Sequence, residues 1–471
     1  MLAHRLQLLS QGRPSRQSQV AARPLRVRTR PCPVQQRGRA VLARVSTVKR
    51  PESFAPDSIS WDEDVAGYNF LSKEEEYVNS VDEEDGNCPV YIDREGNIIN
   101  VMCCDYGFRS NSGRLYQEGY GKIPHSMWHL AWANFAQEWT QLRRSFRYDE
   151  YGKIAAVNPP QGPLGKASYA AGSAVVRLFS RLDRWLEERR LFSALLPEAL
   201  PKEVFDTKTG SMTESCKQIR SKLAQLKLSN KAVWDREHAR EAAGGGVDTP
   251  WFVKGIYLSL CVFLDVAYDN RPLQRFWFLE TVARMPYFSY ITMLHLYESF
   301  GWWRAGAELR KVHFAEEWNE LHHLQIMESL GGDQLWVDRF MAQHAAIVYY
   351  VILVGLFTLS PQLAYNFSEL IEAHAVDTYG EFAEANKELL QTLPPPLVAA
   401  QYYLSGDYYL FDEFQTSLSG GSLRTPKCDT LYDVFINIRD DEGEHVKTMA
   451  ACQDFSIMDD LEVRRETERR I

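Results

Sequence analysis

Beyond residue 250 the apolar positions recur every three to four residues, the period of a helix with one buried face. The pattern predicts helices over 251–268, 272–297, 302–330, 334–359, 362–391 and 429–453, with stops at the glycine pair 331–332, at Pro361 and at the "PPP" of 394–396. Helical periodicity also runs from "SMWHLAWANFAQEWTQL" onward, broken at 158–165 by "NPPQGPLG". The "AAGGGVDTP" of 242–250 reads as a linker and places the main domain boundary there. Residues 88–120 mix strand and turn character. No internal repeat is evident, and the fold class expected is all-α.

One stretch is apolar all round. "AAIVYYVILVGLFTLS", 345–360, has sixteen residues, short of the roughly 20 that a bilayer-crossing helix needs. A buried or interfacial helix is therefore expected at least as much as a transmembrane one.

Charge divides the chain. Residues 1–50 hold eleven Arg, one Lys and no Asp or Glu, the make-up of an organellar transit peptide. Without them the chain has 41 basic and 62 acidic residues, a net charge of −21, which argues against nucleic acid as a partner. Residues 51–120 form an acidic, irregular segment, 121–250 a helical region with its linker, 251–455 the main bundle and 456–471 a charged tail. Eight scattered cysteines with no CxxC pair predict neither a zinc site nor a disulfide framework, and the adjacent Cys103 and Cys104 read as ordinary thiols.

Charged residues inside the apolar helices carry the chemistry. In "NELHHLQIMESL" Glu320 and His323 stand three apart and share a helix face, whereas His322 points elsewhere. A second Glu-x-x-His, Glu442 and His445, lies in "NIRDDEGEHVKTM". Glu280 in "RFWFLETVARMPYF" and Glu372 in "LIEAHAVDTY" complete the order Glu, Glu-x-x-His, Glu, Glu-x-x-His on four helices. This is the ligand set of a di-iron carboxylate four-helix bundle. Two iron ions need bridging carboxylates, one imidazole each, and open positions for O₂. Four buried carboxylates without a cation would cost many kcal/mol.

Over about 251–453 the chain resembles the alternative oxidase family, and within it the plastid branch. The resemblance rests on "RFWFLETVARMPYF", "FGWWR", "VHFAEEWNELHH", "EAHAVDTY", "GDYYLFDEFQT" and "LYDVFINIRDDEGEH". It implies a quinol oxidase with two Fe ions per chain, reducing O₂ to water on one leaflet of a membrane. For the plastid branch the quinol is plastoquinol and the place is the stromal face of the thylakoid, with roles in chlororespiration, plastoquinone redox balance and carotenoid desaturation. Its redox-active tyrosine falls on Tyr379, and its quinol contacts fall on Arg275, Leu279 and Thr378. Asn319 and Asp441, each just before a ligand glutamate, fall where the family orients its ligands. His374 replaces an acid of the mitochondrial branch, the loop 404–428 is longer than in that branch, and no regulatory cysteine matches. Residues 51–250 fall largely outside the resemblance.

A monotopic placement is expected on a second ground: if 345–360 spanned the bilayer, Glu320 and Glu372 would be drawn roughly 30 Å apart. A homo-oligomer is expected as well. The competing functions are another di-iron oxygenase, such as a quinone hydroxylase or a desaturase, and a ferritin-like iron-binding bundle.

Overall fold

Among the described residues, fourteen α-helices and one antiparallel hairpin carry the fold. The computed structural model describes residues 90–92, 97–102, 106–108, 126–195, 214–303, 306–405, 408–416, 424–454 and 456. The expected leader, most of the acidic segment, Cys103 and Cys104, and the charged tail beyond residue 456 lie outside them. The hairpin pairs β1 (Val90–Ile92) with β2 (Ile98–Asn100).

The helices that hold the site are α7 (Pro272–Ser299), α8 (Gly306–Ser329), α10 (Pro361–Ala385) and α14 (Leu431–Ala451). Helices α7 and α8 run antiparallel. Arg284 bonds Glu317 and Arg310 bonds Glu298, so partners descend on one helix as they ascend on the other. Helices α10 and α14 do the same, through Asn366 with Gln453 at one end and Phe382 against Phe435 at the other.

Local chemistry sets the ends. Gly331, at φ +86°, donates to the Glu328 carbonyl and Gly332 to that of Met327, a Schellman stop for α8. A Cβ on Gly332 would lie 2.6 Å from the Leu273 carbonyl oxygen, so this turn needs glycine for close approach as well. Pro361 both follows the end of α9 (Trp336–Leu359) and opens α10, where its missing N–H costs nothing. Thr430 and Asp433 form a reciprocal capping box on α14. The helix predicted over 362–391 breaks instead at Asn386, whose side chain bonds the backbone of Lys227, and a short α11 (Lys387–Leu390) follows. Helices α12 (Leu397–Ser405) and α13 (Tyr408–Phe414) were not anticipated; α13 lies within the stretch read as a loop.

The N-terminal helices are α1 (Met127–Tyr148), α2 (Glu150–Val157), α3 (Pro163–Glu188), α4 (Glu214–Leu223) and α5 (Asn230–Arg240). Arg143 and Arg147 of α1 pair with Asp183 of α3. Arg339 of α9 reaches Glu138 of α1 at 2.9 Å, and Asp269 accepts from the Gly162 backbone at 2.7 Å. The 242–250 stretch begins within a π-turn, Glu241–Gly245, and leads into α6 (Trp251–Ala267). All described residues on either side of it fall in one compact unit. Cys216 of α4 is disulfide-bonded, whereas Cys261, Cys428 and Cys452 are free and buried.

The apolar run 345–360 lies in α9, whose 24 residues are, by length and composition, enough to cross a membrane. The helix extends beyond the sixteen-residue run, so length no longer separates an interfacial helix from a transmembrane one. The second topological argument fails too. Helix α9 runs beside α7 in the same direction, Asp338 meeting Arg271 and Phe357 meeting Tyr297, while α8 and α10 fold back along them. Glu320 and Glu372 therefore meet near mid-bundle whatever α9 does. The distribution of exposed apolar residues is more telling. Trp251, Phe252, Ile256 and Leu260 of α6, with Ile347, Val348, Val351 and Ile352 of α9, are exposed. The accessible face of α14 instead carries Asp433, Arg439, Asp440, Glu444 and Lys447.

Candidate metal centre

All six sequence-predicted ligands converge, each at most 2% exposed. They form two overlapping groups, Glu280, Glu320, His323 and Glu442, then Glu320, Glu372, Glu442 and His445. Within each group the candidate ligand atoms lie within 4.8 Å of one another. Glu320 and Glu442 belong to both groups, and one further carboxylate and one imidazole complete each. His323 Nδ1 lies 3.7, 3.6 and 3.5 Å from oxygens of Glu280, Glu320 and Glu442. His445 Nδ1 is 2.9 Å from Glu320 Oε1 and 3.7 Å from Glu442 Oε2.

The residues fit a pair of divalent cations. Buried polar atoms in native proteins nearly always have partners. Here Glu280 Oε2, both Glu320 oxygens, Glu442 Oε2, His323 Nδ1 and both His445 ring nitrogens have no aligned hydrogen-bond partner. Four carboxylates also balance the charge of two divalent ions. Among the protein groups alone, the electrostatics are frustrated. Burial, then the charge of Glu320, pushes the Glu280 carboxyl well up, and burial, then Glu442, does the same to Glu372. Glu320 goes the other way: against burial, the neighbouring His323 and His445 imidazoles hold its carboxyl down. Cations would relieve both.

An outer layer holds the ligands. Asp441 accepts His323 Nε2 at 3.2 Å, Asn319 Nδ2 at 3.1 Å, the Tyr403 hydroxyl at 2.9 Å, Gln415 at 3.3 Å and the Arg424 guanidinium. With Nε2 so engaged, Nδ1 of His323 is the nitrogen turned to the carboxylates, the arrangement that fixes a ligating imidazole. Burial would raise the Asp441 carboxyl, but Arg424 and His323 bring it to about 2. Asn319 also donates to the Tyr402 hydroxyl at 2.7 Å. His322 does point elsewhere, its Nδ1 on the Trp318 carbonyl and its ring stacked on Tyr402.

Tyr379 is buried, stacked on Phe276 at 4.3 Å, and donates to Glu280. Sequence reasoning placed it beside Glu372 on one helix; its hydroxyl in fact crosses to the opposite helix. Tyr287, which sequence reasoning missed, donates to Glu372 Oε1 at 2.8 Å. The usable signal was spacing: Glu280 precedes Tyr287 by seven residues, as Glu372 precedes Tyr379.

An apolar cavity of about 250 Å³ lies between α6, α7, α9 and α10. Exposed Ile256, Leu260, Val348 and Ile352 line its outer part, and buried Glu280, Glu372, Tyr379 and Glu442 its inner end. Leu279 and His374 line it too, whereas Arg275 and Thr378 stand behind His374. Arg275 is fully buried and engaged by Asp265 and Asn230, both at 2.9 Å, with Nη2 3.4 Å from His374 Nε2. Thr378 donates to the His374 carbonyl at 2.7 Å. His374 Nδ1 sits 2.8 Å from Glu237 Oε2, and the Tyr257 hydroxyl donates to the same carboxylate at 2.7 Å. Despite burial, His374 and Tyr257 hold Glu237 below the usual carboxylate range. Glu237 comes from α5, in a region for which the sequence suggested no role.

The alternative oxidase family model matches residues 258–454, a span that contains all six ligands and both tyrosines but neither Glu237 nor Tyr257. The chain is 56% identical over 195 residues to ubiquinol oxidase 4, chloroplastic/chromoplastic, of Arabidopsis thaliana, covering 41% of this chain and 55% of the relative. It is 28% identical over 188 residues to the mitochondrial ubiquinol oxidase of Mangifera indica, covering 38% of this chain and 50% of the relative. A mitochondrial ubiquinol oxidase 1 of Nicotiana tabacum is 25% identical over 196 residues, with 41% and 48% covered. The chain thus spans about half the length of the curated relatives it matches.

Proposed function

We propose that this protein, whose residues 258–454 match the alternative oxidase family model, is a plastid di-iron quinol oxidase, turning two plastoquinols and one O₂ into two plastoquinones and two waters. The observation that carries the reading is the apolar cavity that leads from an exposed apolar face to the buried carboxylates. A lipid-soluble quinol needs such an entrance, and a ferritin-like iron store does not.

Glu280, Glu320, His323, Glu372, Glu442 and His445 would hold two irons, which supply O₂ binding and two of the four electrons. The protein's own part is positioning and proton handling. Leu279 and the α6 and α9 side chains exclude water from the ring of the quinol. His374, held by Glu237 and backed by Arg275 and Thr378, presents a polar edge for the head group. Tyr379 would give one electron to O₂, its proton passing to the Glu280 carboxylate with which it is hydrogen-bonded.

The chloroplastic name of the Arabidopsis relative and the basic leader support a plastid location. A reporter fused to residues 1–60 should enter plastids; a cytosolic reporter would contradict this. We further propose monotopic association with the stromal face of the thylakoid membrane, for which the exposed apolar residues of α6 and α9 offer a surface, and we take the working unit to be a homo-oligomer. A labelled-oxygen experiment tests the function: with ¹⁸O₂ and plastoquinol, the label should appear in water and none in the quinone. Label in a hydroxylated quinone would make the protein an oxygenase instead.

A further inference from the structure

The two helices that each contribute a single ligand glutamate are related by an exchange of tyrosines. On α10, Tyr379 follows Glu372 by seven residues and donates across the centre to Glu280 of α7. On α7, Tyr287 follows Glu280 by seven residues and donates back across the centre to Glu372 of α10, at 2.8 Å. Seven residues are about two helical turns, so each tyrosine faces the same interior as the glutamate on its own helix. Both are at most 1% exposed. Their settings then differ. Tyr379 lines the apolar cavity, whereas Tyr287 is not part of its lining and stands edge-on to the His445 ring at 5.3 Å and 6.2 Å from that of His313.

We propose that Tyr287 is a second one-electron donor, outside the lining of the quinol cavity. The electron count motivates it. Reducing O₂ to two waters takes four electrons and four protons. Two ferrous ions hold two electrons and Tyr379 holds one, which leaves the centre one short. Tyr287 closes the balance. Its O–H bond breaks, the electron goes to oxygen and the proton follows by way of Glu372 Oε1, leaving a neutral tyrosyl radical; Tyr379 supplies a second proton by way of Glu280, and the two protons still owed to water arrive with the quinols. Two quinols then return four electrons and four protons, restoring both tyrosines and the irons. The inference rests on the di-iron reading of the six ligands but not on the identity of the quinol.

The test is a single turnover of full-length, iron-loaded protein, chemically reduced and mixed with O₂ without quinol. Tyrosyl radicals are counted by freeze-quench electron paramagnetic resonance and normalised to bound iron, with released peroxide measured alongside. Wild type should give two tyrosyl spins per chain. Tyr287→Phe and Tyr379→Phe should each give at most one, lowered by the fraction of turnovers that release peroxide, which should rise several-fold, and the double variant should give none. The Phe substitution keeps the buried ring, and circular dichroism with iron content confirms that the variant folds. A Tyr287→Phe protein with the wild-type spin count and no added peroxide would overturn the proposal. So would one whose radical yield falls only in proportion to lost iron, which would make Tyr287 a positioning residue for Glu372. Two spins from a wild-type protein that fails to oxidise quinol would support the proposal while defeating the proposed function.

Discussion

Asp441→Asn removes one charge and almost no volume, and its effects can be worked out contact by contact. The carboxylate is fully buried and accepts from His323, Asn319, Tyr403, Gln415 and Arg424. Four of these partners present N–H groups; only the tyrosine hydroxyl can turn to accept. An asparagine amide has one accepting oxygen, so either orientation sets its NH₂ against N–H donors. Arg424 loses its main counter-charge, retaining only Asp440 at 3.6 Å. Removing one partner of a buried ion pair costs about 3–5 kcal/mol, and the low end applies because Arg424 is partly exposed. His323 loses the acceptor that fixes its ring, which lowers metal affinity by about 10–100-fold. The assay is iron retention against a graded chelator, with thermal unfolding of the loaded protein in parallel. Near the chelator level at which wild type begins to lose iron, the variant should already be depleted, and it should melt lower. An Asn variant with wild-type iron affinity and melting temperature would refute the assignment of Asp441 as the support of His323.

Tyr379→Phe should keep its fold and its iron, since one hydrogen bond is worth about 1 kcal/mol, yet lose most quinol oxidation; full-rate turnover in this variant would remove the tyrosine from the mechanism. Glu237→Gln should raise the KM for quinol several-fold by loosening His374, while leaving the reaction of chemically reduced protein with O₂ unchanged; an unaltered KM would show that α5 takes no part in substrate binding. Ala345→Trp, which fills the cavity between α7 and α9, should block quinol oxidation without displacing iron, and normal kinetics would mean that quinol enters elsewhere.

The ligand set was legible because charge is conspicuous in apolar helices. Glu280, Glu372 and the two Glu-x-x-His pairs are polar interruptions of a periodic pattern, and their order alone implies a shared centre. Most helix ends were legible where glycine or proline marks them, as at Gly331, Gly332 and Pro361. Tertiary contacts were not. Glu237 lies in a polar helix whose sequence gives no hint that it meets His374, 137 residues away. Tyr287 sits among aromatic residues, where one more tyrosine looks like core. Asn386 breaks its helix because its side chain binds the backbone of Lys227, a partner that local propensity does not contain. The membrane argument failed for a related reason: it treated the chain around 345–360 as a line, whereas the neighbouring helices fold back beside it.

The central claim is that six buried side chains hold two irons at which quinol reduces O₂. Oxygen uptake by the purified protein with plastoquinol tests it most directly, measured as isolated, after iron is stripped, and after ferrous iron is restored. The account predicts two quinols oxidised per O₂, loss of uptake on stripping, recovery at two irons per chain, and no recovery in Glu320→Ala or His445→Ala. Uptake that persists in the stripped protein, or in a fully active Glu320→Ala variant, would contradict it.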